Sequence, residues 1–328
     1  MMSISWHPAH NHRRRLTDTI LITDCDMGEP TLEREILEAA GFRMVEASCT
    51  SESDVIATVA ETGAVGLLVQ YAPMTRHVLE SCPTVRGLVR YGVGMDNVDV
   101  AAAADLGVTA LNVPHYGSAE VADQAVTLLL ALLRGTPWWS SATRRGEWPS
   151  RGDLPDPLEI SECTLGLFGF GAIAREVAVR AQAFGMTVIA HDPYVDAANF
   201  AAAGVRGVTW EDLWTGSKVV SIHAPLTAGT AGIVNSAALD LMAPGGFLVN
   251  TARAGLADRE SVERALASGQ LAGAGLDVWW TEPADAADPL LRHPRVIATP
   301  HVAWLSPGSI RRLRSNAASS LVSVLAPD

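Results

Sequence analysis

The chain has 328 residues, 48% of them hydrophobic, with 24 Lys+Arg against 36 Asp+Glu and a formal net charge of −12. That length suggests two domains of roughly 150 residues, and the acidic balance argues against nucleic acid or an anionic membrane as a main partner. No apolar run approaches the roughly 18 residues of a membrane span, and the N-terminus lacks the apolar centre of a signal peptide, so a cytoplasmic location is expected.

Near the N-terminus the basic run Arg13, Arg14, Arg15 reads as a solvated tail. His7, His10 and His12 read as unstructured residues, not metal ligands. Cys25, Cys49, Cys82 and Cys163 are too scattered for a metal motif and too few for a disulfide framework. They are expected to be reduced and structural, and no metal is expected. From residue 20 the pattern alternates. Strands are predicted over 20–23, 44–47, 65–69, 88–91 and 109–113, with helices over 32–40, 54–61, 75–81 and 98–106. Such alternation means a parallel sheet covered on both faces, in one lobe over 1–113.

After Pro114 a helix over 119–133 is predicted, with Ser118 as its cap and an almost wholly apolar body. Residues 135–157, rich in Trp, Arg, Gly and Pro, read as an extended arm. Trp138, Trp139 and Trp148 would be out of place on a free surface, which points to a subunit interface.

Residues 164–193 then form a βαβ unit with a phosphate-binding turn at its first corner. The apolar run 165–168 delivers Gly169, Gly171 and Ala174 in the spacing G-x-G-x-x-A. Gly169 permits the tight turn, Gly171 lets backbone approach a pyrophosphate, and Ala174 lets helix pack on strand. Ile173, Val177, Ala181 and Phe184 recur at helical spacing and Gly185 follows in the stop position. The second strand ends at Asp192, 21 residues after Gly171, where an acid can bond a ribose 2′-hydroxyl. No Arg follows to receive a 2′-phosphate, so NAD is favoured over NADP.

Further strands are predicted over 219–223, 247–251, 274–278 and 296–298, with helices over 237–242 after Asn235 and 259–268 after Asp258. A last helix starts at Ser306-Pro307. Three of these strands end in groups suited to hydride transfer to a 2-keto acid. Arg253 can grip a carboxylate with two parallel N–H bonds and polarise the carbonyl. His301 can exchange a proton near neutral pH, and Glu282 is a candidate partner to hold its ring. Singly, each has an ordinary structural reading; together, on three strand ends, they form a candidate catalytic set.

From about residue 19 onward the chain resembles the D-isomer-specific 2-hydroxyacid dehydrogenase family. The matching blocks are RYGVGMDNVD at 90–99, YGSAEVAD at 116–123, the Gly169 turn, HAPLT at 223–227, VNTAR at 249–253, GLDV at 275–278 with Glu282-Pro283, and TPHVAW at 299–304. QYAPMT at 70–75 and HVAW at 301–304 look most like the branch of the C-terminal binding proteins and of phosphoglycerate dehydrogenase-like chains. The resemblance implies an α/β fold of two doubly wound parallel-sheet lobes. A Rossmann NAD-binding domain over 114–296 would be inserted into a flavodoxin-like substrate domain formed by 1–113 and 297–328.

It also implies Arg253, Glu282 and His301 as catalytic residues. Cofactor contacts would fall on Gly169, Phe170, Gly171, Ala172, Ile173, Asp192, His223, Pro225, Thr230, Thr251, Ala252 and Asp277, the last near the nicotinamide amide. Backbone N–H groups of Val93 and Gly94 would bind the substrate carboxylate, and subunits would pair as a homodimer through the NAD-binding domain and the 135–157 arm. Two departures stand out: Ala254 replaces the family's usual Gly after Arg253, and Trp279-Trp280 is unusual. The tryptophans would either narrow the substrate mouth or pack against Trp304 or a neighbouring subunit. A second functional reading is an NAD(H)-sensing, corepressor-like binding protein with a vestigial active site. The substrate stays open. Tyr71, Met74, Tyr91, Trp280 and Trp304 hint at a roomy aromatic pocket, whereas Arg76, Arg86 or Arg90 near it would admit a phosphorylated or phosphonate-bearing acid.

Overall fold

The structure, a computed structural model, describes residues 18–152 and 156–326. The arginine run at 13–15 and His7, His10 and His12 lie outside the described residues. The chain divides into two compact units, Met1–Tyr116 with Pro307–Asp328, and Gly117–Ser306.

The first unit runs β1 (Thr19–Ile22), α1 (Thr31–Ala39), β2 (Arg43–Glu46), α2 (Glu52–Thr62), β3 (Gly66–Val69), α3 (Arg76–Ser81), β4 (Gly87–Arg90), α4 (Val100–Asp105) and β5 (Thr109–Leu111). Its sheet has the order β2-β1-β3-β4-β5, and every pairing is parallel. β1 and β3 are buried along their whole length, as a sheet covered on both faces requires. Ser51 and Asp54 start α2 with a reciprocal capping box, and Thr75 and Asp99 cap α3 and α4. The C-terminal helix, Pro307–Leu325, returns to this unit. Leu313, Ala317, Leu321 and Leu325 are buried at strict four-residue spacing. The helix lies so close to the sheet that a Cβ on Gly66 or Gly87 would sit 2.6 Å from Leu325 or Val324.

One buried ion pair fastens that helix. Arg314 donates to both carboxylate oxygens of Glu33, at 2.7 to 3.0 Å, and to the carbonyls of Met27 and Glu29. Tyr91 Oη donates to the same carboxylate at 3.0 Å, and Glu33 has no exposed surface.

The second unit begins with α5 (Ser118–Arg134) and α6 (Thr136–Arg144). It continues with β6 (Thr164–Phe168), α7 (Ala172–Ala183), β7 (Thr187–His191), α8 (Ala197–Ala202), β8 (Arg206–Gly207), α9 (Trp210–Thr215) and β9 (Val219–Ile222). It ends with α10 (Ser236–Leu239), β10 (Gly246–Asn250), α11 (Arg259–Ser268), β11 (Leu271–Leu276), α12 (Pro289–Arg292) and β12 (Val296–Ala298). The parallel sheet has the order β12-β11-β10-β9-β6-β7-β8. One apolar cluster joins it to α5 and α7, and a second joins it to α9, α10 and α11. This is the doubly wound, two-sheet α/β fold the sequence predicts. No described helix is long and apolar enough to cross a membrane.

Three local expectations are corrected, and three short elements are added. The arm is not extended throughout: Gly135, in the left-handed conformation, ends α5 and starts α6, with Pro137 in the first turn, where its missing N–H is harmless. Gly117, not Ser118, is the cap of α5. Residues 297–306 stay with the second unit because β12 is hydrogen bonded to β11. The elements α8, β8 and α9, at six, two and six residues, are too short to show a sequence period.

Arg314→Met should leave the Glu33 carboxylate buried and without its cation, a change that typically costs about 3–5 kcal/mol. Denaturant unfolding of the variant against the parent measures it, and a loss below about 1 kcal/mol would contradict the assignment.

Candidate active site

The second sheet reverses its strand order between β6 and β9, and the glycine turn sits at the carboxyl end of β6. Gly169 has φ +86°, and a Cβ there would lie 2.7 Å from the Ala224 nitrogen and 2.9 Å from its Cα. The residue is therefore held to glycine twice, by its turn and by the loop after β9. His223 N–H closes that contact on Phe168 O at 2.7 Å. Past Gly171, where an added Cβ would meet nothing within 4 Å, α7 begins with no side-chain cap. Its first N–H groups face outward with the positive end of the helix dipole, the arrangement that receives a phosphate.

The other dinucleotide candidates gather at the same strand ends. Asp192 accepts Phe170 N–H at 2.8 Å and Tyr194 N–H at 3.0 Å, which fixes its carboxylate against the glycine turn. Ala172 and Ile173 form the first turn of α7. Thr230 Oγ1 donates to Pro225 O at 2.7 Å and shapes the turn after His223. Thr251 Oγ1 is buried with no hydrogen-bond partner, so a polar ligand atom is what it lacks. Asn250 accepts Ala252 N–H at 3.0 Å and donates to Arg253 O at 2.9 Å. The open helix start, the small residues around it and the orphaned Thr251 hydroxyl together fit a bound dinucleotide.

The catalytic candidates converge within this unit. His301 Nδ1 lies 2.7 Å from Glu282 Oε2, and Glu282 Oε1 accepts Trp279 N–H at 2.9 Å. Burial pushes the Glu282 carboxyl up, but the His301 and Trp279 hydrogen bonds and the nearby Arg253 charge outweigh it and hold the group below the usual carboxylate range. Arg253 leaves β10 in extended conformation, and its Nη1 donates to Ala252 O at 2.7 Å.

Asp277 turns out to organise this edge. It is wholly buried, and its carboxylate accepts Thr299 Oγ1 at 2.5 Å, Val302 N–H at 3.0 Å and Ala303 N–H at 2.8 Å, while its carbonyl accepts His301 N–H at 2.7 Å. His301 has φ +55°, a conformation uncommon outside glycine that recurs at functional sites. Sequence reasoning missed Asn250 and this role of Asp277. Asn250 carries a local signal, an Asn two residues before an N–H it can accept. Asp277 carries none, because its donors lie 22 to 26 residues away.

The doubled tryptophans pack inward. Trp279 is 7% exposed and donates from Nε1 to Thr299 O at 3.0 Å, and Trp280 Nε1 donates to Ala257 O at 2.9 Å. Trp304 Nε1 donates to His301 O at 3.1 Å. Of the remaining candidates, Tyr71 and Val93 lie in the first unit, 61% and 52% exposed, with Gly94 following.

His223 bonds through Nε2 to Ser221 Oγ at 2.8 Å, and burial pushes its imidazole down to about 4. Below the ordinary value of about 6.5 the unfolded chain binds a proton that the folded chain refuses until about pH 4. Stability should therefore fall as pH drops through that window, by about 1 kcal/mol per pH unit. Unfolding free energies at several pH values should show a shallower slope for His223→Gln; parallel slopes would contradict the burial of His223.

Residues 126–303 match the profile described as D-isomer specific 2-hydroxyacid dehydrogenase, NAD binding domain. The chain is 35% identical to D-3-phosphoglycerate dehydrogenase of Sus scrofa over 271 residues, which cover 82% of this chain and 50% of that protein. It thus spans about half the length of the curated relatives it matches. Among solved structures it superposes on the TT0316 protein from Thermus thermophilus with TM-score 0.83 and 31% identity, covering 94% of this chain and 96% of that one. A glyoxylate reductase from Paecilomyes thermophila superposes with TM-score 0.85 and 28% identity, over 94% and 95% of the two chains. The chain belongs to the D-isomer specific 2-hydroxyacid dehydrogenase family, and its second unit carries that family's NAD-binding domain.

Proposed function

We propose that the chain is an NAD-dependent oxidoreductase that interconverts a D-2-hydroxy acid and its 2-keto acid. The observation that carries this reading is the Glu282–His301 pair at 2.7 Å, set at a strand end on a positive-φ backbone and within electrostatic reach of Arg253. NADH, when bound, supplies the hydride that adds to the keto carbon. Gly169, Phe170, Gly171, Ala172, Ile173, Asp192, His223, Pro225, Thr230, Thr251 and Ala252 are the residues proposed to hold it. The first unit is the proposed substrate domain, with Tyr71, Val93 and Gly94 among its contacts, and Trp304 is a proposed contact from the second.

Because Nδ1 of His301 faces Glu282, Nε2 is the ring nitrogen left to meet substrate. In reduction the keto oxygen, gaining an electron pair as hydride arrives, takes a proton from Nε2; in oxidation Nε2 takes it back. Glu282, kept anionic by its hydrogen bonds, compensates the imidazolium charge. Arg253 pairs with the substrate carboxylate and polarises the carbonyl.

A homodimer formed through the second unit is part of the same reading, supported by Trp148, which is 88% exposed in the 135–157 segment. Sedimentation velocity should give a dimer for the parent and a monomer for Trp148→Glu; a monomeric parent would refute it. For the chemistry, the first measurement is NADH oxidation against a panel of 2-keto acids with small, aliphatic, aromatic, dicarboxylic and phosphorylated side chains. His301→Ala should lower turnover about 10²- to 10⁴-fold while NADH binding, followed by tryptophan fluorescence, persists. Unchanged turnover would remove His301 from the mechanism. No reduction of any acid, with NADH bound and the oligomeric state altered by it, would favour the NAD(H)-sensing reading.

A further inference from the structure

The first sheet has its own reversal of strand order, between β1 and β3. Open α/β sheets bind ligands outside the carboxyl ends of their strands at such a point. Residues 24–26 after β1 and 70–72 after β3 form that edge. Three consecutive N–H groups there, of Gln70, Tyr71 and Ala72, reach one carboxylate: Asp24 accepts them at 3.1, 2.6 and 3.3 Å. Thr23 Oγ1 donates to the same group at 2.7 Å. Successive backbone N–H groups aimed at one point make an anion-binding nest, and here the anion is the chain's own.

Asp26 adds a second carboxylate. It accepts Gln70 Nε2 at 2.5 Å and Tyr71 Oη at 3.5 Å, while its N–H donates to Gln70 Oε1 at 2.9 Å. Two of the three arginines that would have admitted a phosphorylated acid are engaged elsewhere. Arg76 pairs with Asp105 at 2.6 Å and Glu80 at 3.8 Å. Arg86 lies before β4, at the opposite edge of the sheet, and pairs with Asp18 at 2.7 Å. Arg90 ends β4 with its guanidinium folded back over Gly92, where a Cβ would meet Nη1 at 1.7 Å. One guanidinium against two carboxylates leaves the edge negative.

Resting on the dehydrogenase reading above, we infer that the substrate is a 2-keto acid whose side chain is uncharged, and that a phosphorylated side chain is excluded. Asp24 fills the nest a phosphate would use, and Asp26 repels a group that carries nearly two negative charges at neutral pH. The exposed Tyr71 and Val93 offer an uncharged side chain apolar surface.

Hydroxypyruvate and its 3-phosphate, which share a carbon skeleton, make the test with the full chain and NADH. Hydroxypyruvate should have the higher kcat/KM, by at least about tenfold, with the difference mostly in KM. Asp26→Asn keeps an acceptor for Gln70 and a hydrogen bond to Tyr71 but removes the charge, and should narrow that ratio severalfold. A phosphate ester reduced as well as hydroxypyruvate, or a ratio unmoved by Asp26→Asn, overturns the inference. If neither is reduced, the dehydrogenase reading fails for these acids, and calorimetric titration of the NADH-loaded protein with D-glycerate and 3-phospho-D-glycerate decides separately. Tighter glycerate binding supports the exclusion; tighter binding of the phosphate ester, or equal or absent binding of both, overturns it.

Discussion

The buried carboxylate of Asp277 sets the geometry of the candidate catalytic edge. It sits at the end of β11 and collects one hydroxyl and two backbone N–H groups from residues 299–303, while its own carbonyl takes the His301 N–H. A buried carboxylate that lost these donors would be costly, and so would the N–H groups left behind. The turn is therefore over-determined, and this is what allows His301 to hold a left-handed backbone conformation that would cost about 1–3 kcal/mol if unsupported. The ring proposed to carry the proton owes its direction to a residue that need not touch substrate.

The two sheets use one grammar for opposite ends. In the second, the strand-end acid Asp192 bonds to the glycine turn and leaves the start of α7 uncapped, open to an anion. In the first, the strand-end acid Asp24 turns onto three successive N–H groups in the loop after β3, the counterpart of the loop after β9, and fills that nest with the chain's own charge.

What the sequence revealed follows the range of each interaction. The strands, the glycine turn and the residues at strand ends are legible because burial on both faces makes continuous apolar runs and each run stops where chemistry begins. Arg253, Glu282 and His301 could be chosen for this reason, and the structure brings all three into one unit. The second half of the story is long-range. Gly66 and Gly87 look like weak points in β3 and β4 until the C-terminal helix, more than 200 residues later, is seen to occupy the space a side chain would need. The 135–157 segment read as extended because Gly and Pro suggest breaks, whereas here they end one helix and begin the next.

The doubled tryptophans show how an unusual local sequence serves the site through packing. Trp279 reaches the carbonyl of Thr299 ahead of His301, and Trp280 reaches the carbonyl of Ala257, beyond Arg253. Each indole has a single N–H donor, so each ring can anchor only in one direction. The backbone N–H of Trp279 holds Glu282 at the same time. The segment 279–282 is thereby tied to the loop after β10 and the loop after β12, which carry Arg253 and His301. The two indoles thus help fix the spacing of the segments that carry Arg253, Glu282 and His301, the proposed catalytic set.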